Sequence, residues 1–81
     1  MARTLGSARH ARLVELLVGA RQASGLTQSE VAARLGRHQP FVSTLEGGER
    51  RLDLIELLDL AAVVGLDVHA VVDELARLPA R

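Results

Sequence analysis

Four neutral hydrogen-bonding side chains, Gln28, Gln39, Ser43 and Thr44, fall inside one short window, Leu26 to Gly48, with Ser29 and Arg37 among them and Arg50 and Arg51 just beyond. A glutamine amide carries a donor and an acceptor side by side, so it can take a base edge bidentately or a phosphate singly. An arginine fork matches phosphate geometry. Chemistry of the bond-breaking kind has no such grouping. His10, His38 and His69 share no i, i+4 spacing, and the chain has no cysteine, so neither a metal site nor a cofactor is expected. Asp73 and Glu74 diverge by about 100° on a helix, and no Ser, His and Asp arrangement is apparent. Glu46-Gly47-Gly48-Glu49 lacks the strand and lysine of a phosphate loop. An enzyme is not expected.

The elements that must position these groups are helices. Thr27 and Glu30 form a T-x-x-E capping box that starts one helix at Gln28, and Gly36 follows Leu35 to end it. A second helix restarts almost at once, with Val31, Ala32, Leu35, Val42 and Leu45 to lock the two together and Gly47 and Gly48 to end it. This is a helix-turn-helix. The residue before a proline is pushed away from the α region, which predicts Gln39 as N-cap and Pro40 as N1. Gln39 therefore has two roles open to it, helix cap or base reader. Phe41 likewise has two, packing against the preceding helix or touching a thymine methyl.

Upstream, residues 1 to 6 read as a flexible arm, and Ser7 caps a helix running to about Ser24. Leu13, Leu16, Leu17 and Ala20 form its inner face, with Ala11, Val14 and Val18 as a flanking strip. Downstream, Asp53 and Glu56 repeat the capping box for a fourth helix, with Leu54, Leu57, Leu58 and Ala61 facing inward and Gly65 as the stop. Asp67 caps a fifth helix, with Val68, Val71, Val72, Leu75 and Leu78 on one stripe and Pro79 at its end. The expected fold is all-α, one domain over residues 7 to 78 made of five helices.

Composition narrows the class of partner. Among 81 residues the one aromatic is Phe41, which removes the stacking platforms used by single-strand and RNA binders. Net charge is zero, yet residues 1 to 51 hold eight Arg against four Glu and residues 52 to 81 hold two Arg against six carboxylates. A basic half and an acidic half let one face approach phosphate while the other meets solvent or a subunit. No segment has the length of a membrane span or the pattern of a signal peptide, which predicts a cytoplasmic location. A core this small is marginal, so self-association is expected.

L-T-Q-S-E-V-A at Leu26 to Ala32, L-G at Leu35 and Gly36, F-V-S-x-L-E-x-G at Phe41 to Gly48 and E-R-R-L-D at Glu49 to Asp53 resemble the Cro and phage-repressor helix-turn-helix, the XRE family, over about residues 8 to 77. The resemblance implies a lambda-repressor-like domain that binds double-stranded DNA as a sequence-specific transcriptional regulator, a repressor acting as a homodimer. It implies that Gln28 bonds a phosphate and braces Gln39, that Gln39 contacts a base, and that Ser43 and Thr44 face the groove. It also implies a structural ion pair of Arg21 with Glu46. Pro40 and Thr44 depart from residues common in the family, which shifts phosphate binding onto Arg37, Arg50 and Arg51. The homodimer surface is expected at Val68, Val72 and Leu75 of the fifth helix. The alternative is an antitoxin-type module, for which the partner is a toxin protein and DNA is secondary.

Overall fold

The computed structural model describes residues 7–80, among which five helices and no strand occur: α1 (Ala8–Ala23), α2 (Gln28–Arg34), α3 (Gln39–Glu46), α4 (Leu54–Val64) and α5 (Val68–Ala76). The expected arm, residues 1 to 6, lies outside the described residues. Each helix but α3 starts on a side-chain cap. Ser7 accepts from the His10 N–H, Thr27 from Glu30, Asp53 from Glu56 and Asp67 from Ala70, and the boxes at Thr27 and Asp53 are reciprocal. Such caps satisfy N–H groups that have no partner within the helix. Gly36, between α2 and α3, has φ +69°, a left-handed conformation that costs any other L-residue, and there the chain reverses into α3.

The core is one cluster built by α1 to α4. Val31, Ala32, Val42 and Leu45 are its buried members on α2 and α3, Leu17 supplies α1, and Leu35 packs half-buried at the edge. Val31 and Val42 are almost wholly enclosed, so α2 and α3 are fixed to each other by packing and not by their short lengths. From α5, Val71 is buried and Val68 lies against the core.

Three expectations are corrected. Helix α3 begins one residue early: His38 is the N-cap without a side-chain bond, Gln39 is N1 and Pro40 is N2. Proline loses nothing at N2, since N–H groups of the first turn have no helical acceptor, and its bias against an α-conformation at Gln39 is outweighed. In α4 the inward residues are Leu57, Leu60, Ala61 and Val64, while Leu54 and Leu58 are 62% and 45% exposed. The segment LIELLDLAAVV is apolar nearly all round, so two stripes fit the helical period. The stripe adopted leaves Glu56 on its flank, where Arg37 and Arg50 reach it; the other would turn Glu56 to water. On α5, Val72 points out at 52% exposure instead of sharing the stripe of Val71.

Charge is also redistributed by folding. The basic and acidic halves do not form separate faces, because Arg12 pairs with Glu74 across α1 and α5 and both Arg37 and Arg50 pair with Glu56. Arg9 adds a hydrogen bond from Nε to the Leu75 carbonyl at 2.9 Å, tying α1 to the end of α5, where that carbonyl also accepts from the Leu78 N–H.

Candidate nucleic-acid interface

A single chain of polar contacts runs from α1 to the first residue of α3. Arg21 donates from Nε and Nη2 to the two oxygens of Glu46 at 2.6 and 2.9 Å, and from Nη1 to the Leu26 carbonyl at 2.9 Å. Gln28 Nε2 donates to Glu46 Oε1 at 2.9 Å, and Gln39 Nε2 donates to Gln28 Oε1 at 2.8 Å. The direction of every bond follows from the charge at its root. A carboxylate only accepts, so the Gln28 amide must turn its nitrogen to Glu46 and its oxygen to Gln39. Gln39 is thereby left with one amide N–H and its carbonyl oxygen facing out. The Arg21 and Glu46 side chains are 15% and 11% exposed, and hydrogen bonding to Glu46 raises the Arg21 pKa. A nearly enclosed ion pair thus sets the pose of an exposed glutamine.

The same helix carries two more polar groups whose hydrogen-bonding sense is determined. Thr44 Oγ1 donates to the Pro40 carbonyl at 2.7 Å, and Ser43 Oγ lies 3.3 Å from the same oxygen. With their protons turned back onto the helix, both hydroxyls face outward as acceptors. Ser29 is exposed on the first turn of α2.

Beside this row sits a cluster around Phe41. The ring packs half-buried against the core, with the Arg37 guanidinium carbon 4.1 Å and that of Arg50 4.7 Å from its centroid. Glu56 ties both arginines: Arg50 donates through Nη1 and Nη2 at 2.9 Å each, and Arg37 through Nη2 at 3.1 Å. The Arg50 hydrogen bonds, with the Asp53 N–H behind them, pull the Glu56 carboxyl from 4.5 down to about 2. They likewise raise the Arg50 pKa. Arg51 and Arg34 are exposed, and their guanidinia make no ion pair among the described residues.

The residues expected to act together are therefore sorted by the fold. Gln28, Gln39, Ser43 and Thr44 form one surface row with Ser29 near it, Arg51 makes no ion pair among the described residues, and Arg37, Phe41 and Arg50 are engaged with one another and with Glu56. Glu56 is the residue sequence reasoning missed. It read only as the N3 member of a capping box, a role it also fills by accepting from the Asp53 N–H at 3.1 Å. Two arginines near a capping glutamate were the available signal.

Two short helices joined by a tight glycine turn, the second with a polar outer face braced from the first, define a helix-turn-helix protein. The chain matches the family model described as "Helix-turn-helix domain" over residues 1–78, and it belongs to that family, in its XRE branch. It is similar to a solved structure, an XRE-family like protein from Pseudomonas syringae pv. tomato str. DC3000, with 51% identity, 85% of this chain and 84% of that one covered, and a TM-score of 0.79. It is also 46% identical over 46 residues to the uncharacterized HTH-type transcriptional regulator y4dJ of Sinorhizobium fredii (strain NBRC 101917 / NGR234). That match covers 57% of this chain and 60% of the relative's length. The family places the chain among binding domains and not among enzymes.

Proposed function

We propose that this protein is a cytoplasmic transcriptional regulator that binds double-stranded DNA in a sequence-specific way, with α3 in the major groove. The observation that carries the reading is the outward donor and acceptor pair of Gln39, held in place by Gln28 and Glu46. Adenine presents the complementary pair in the major groove, N7 as acceptor and N6 as donor. Ser43 and Thr44, as acceptors, suit the exocyclic amines of adenine or cytosine, and Arg51 suits a phosphate. Repression requires only occupancy of a promoter site, which such a surface supplies. Among the described residues no helix is long and apolar enough to cross a membrane. Selection from a pool of random duplexes tests the proposal: an enriched motif containing an adenine is expected, and recovery of unenriched sequence would refute it.

Homodimerisation is part of the proposal, with its face redrawn. Among the described residues the four large exposed apolar side chains, Leu54, Ile55, Leu58 and Val72, lie on α4 and α5 and not on the polar row of α3. Val68 and Leu75 are half-buried, so of the residues expected from α5 only Val72 offers free surface, and α4 supplies the rest. An apolar helix stripe is self-complementary about a two-fold axis, and the two copies would then address half-sites one helical turn, about 10 base pairs, apart. Sedimentation across micromolar concentrations should show a dimer that Ile55→Glu, at a site 65% exposed, converts to a folded monomer. A wild-type monomer throughout would favour the antitoxin-type reading, with the same face covering a toxin.

A further inference from the structure

We propose that Glu56 sets how many DNA phosphates this protein neutralises, by holding the Arg37 and Arg50 guanidinia as a cluster of net charge +1 at the edge of the helix-turn-helix. The inference rests on the DNA-binding reading and adds to it a residue that touches no DNA. Arg50 gives both terminal nitrogens to Glu56, and Nη1 also to the Arg51 carbonyl at 2.8 Å, so three of its five N–H groups are engaged. Arg37 gives Glu56 a single bond and keeps Nε and Nη1 free, with its side chain 45% exposed. Both oxygens of Glu56 accept twice, from Arg50 and Asp53 on one and from the two arginines on the other. Its side chain is 13% exposed.

The geometry assigns different parts to the two arginines. Both guanidinia lie over Phe41, but Arg50 is the permanent counter-ion, because it alone grips Glu56 at two points. Arg37 is the exchangeable one, resting on Glu56 in the free protein and able to move its outer nitrogens to a phosphate. Two cations that a charge count would assign to DNA therefore act as one. Glutamine at position 56 keeps the capping box, because its amide oxygen still accepts from the Asp53 N–H, while removing the negative charge. The substitution isolates charge from helix capping.

The test measures affinity for a fluorescein-labelled 30 base-pair mixed-sequence duplex by anisotropy, from 50 to 200 mM KCl, for four versions of the full chain. Each net charge is worth about 0.9 in the log–log salt slope, or roughly 3.5-fold in the affinity ratio across that range. Per bound protomer, Glu56→Gln should steepen the slope by about 0.9 and Arg50→Gln should flatten it by about 0.9, which makes about 1.8 for a dimer carrying two copies, while the double variant returns to the wild-type value. Circular-dichroism melts at 50 and 200 mM KCl fix a temperature at which every version is fully folded, and the slopes are compared there. A Glu56→Gln slope equal to wild type, or a double variant that fails to return, overturns the inference and leaves DNA binding standing. A wild-type protein that does not bind the duplex at 50 mM KCl overturns both.

Discussion

Removing Glu46 should injure the fold first and recognition through it. Three hydrogen bonds end on its carboxylate, two from Arg21 and one from Gln28, so Glu46→Ala strands a guanidinium in a site where both partners are largely enclosed. Truncating one member of a buried pair costs roughly 3 to 5 kcal/mol, and an exposed pair is worth about 1 kcal/mol or less. At 15% and 11% exposure the Arg21–Glu46 pair belongs near the buried limit. Arg21 keeps its bond to the Leu26 carbonyl, which holds the expected loss to about 3 kcal/mol. At roughly 0.05 to 0.15 kcal/mol per residue, a chain of 81 residues has about 4 to 12 kcal/mol in all.

For a domain of this size each kcal/mol moves Tm by about 4 to 8 °C, so the expected fall is roughly 12 to 24 °C. Circular-dichroism melting reads it directly. Because an apolar pair of similar volume is often no worse than a buried ion pair, Arg21→Met with Glu46→Leu should regain most of that loss. The double variant still lacks the carboxylate that orients Gln28, so its base preference should be blurred even where its Tm recovers. A Glu46→Ala variant that melts within about 3 °C of wild type would refute the structural assignment. So would one that melts normally and has lost all affinity for DNA.

The remaining predictions concern single positions. In the Ile55→Glu monomer, Leu57→Ala should cost about 2 to 4 kcal/mol by urea unfolding and the adjacent Leu58→Ala under 1, because one is 8% and the other 45% exposed in the single chain; equal losses there would mean that α4 faces the other way. Gln39→Ala should relax the selected motif at one symmetric pair of positions with little change in Tm, since its amide caps no helix; an unchanged motif would remove it from the reading set. The Glu56 pKa lies at about 2 in the folded protein against 4.5 ordinarily, so the stabilisation it supplies is complete above about pH 4.5 and is lost as pH falls toward 2. Across that window wild type should lose more stability than Glu56→Gln does, and parallel acid-unfolding curves would contradict the ion cluster.

How much of this was legible depended on how many signals converged on each element. The boxes Thr27-x-x-Glu30 and Asp53-x-x-Glu56 placed two helix starts to the residue, because the side chain that starts the helix is itself the signal. The Arg21–Glu46 pair and the brace of Gln28 on Gln39 came from likeness to a family, and the structure shows both contacts. The start of α3 was misplaced by one residue because a statistical bias before proline was set against a tertiary preference for Gln39 in helical register. Charge was misread for a different reason. A count along the chain treats residues 50 and 56 as members of opposite halves, whereas folding seats one on the other.

The misassigned face of α4 bears most directly on function. A helix apolar on nearly every side has no single inward stripe in its sequence, and what decides between stripes is its surroundings: the phase adopted seats Leu57, Leu60 and Val64 in the core and leaves Glu56 within reach of two arginines. With that phase, a second apolar stripe of Leu54, Ile55 and Leu58 is left exposed on the single chain. The all-round hydrophobicity of α4 is therefore one feature with two uses, a core face turned toward α1 and α2 and an outer face turned away from the polar row of α3. If the outer stripe is a subunit seam, it should be separable from the inner ionic contact. Glu56→Gln should leave the dimer affinity unchanged by sedimentation, because the contacts of residue 56 lie off the stripe, and Ile55→Glu should abolish the dimer without moving the Glu56-dependent acid unfolding. A dimer indifferent to Ile55→Glu would place the seam elsewhere and leave the exposed leucines of α4 without a partner of their own kind.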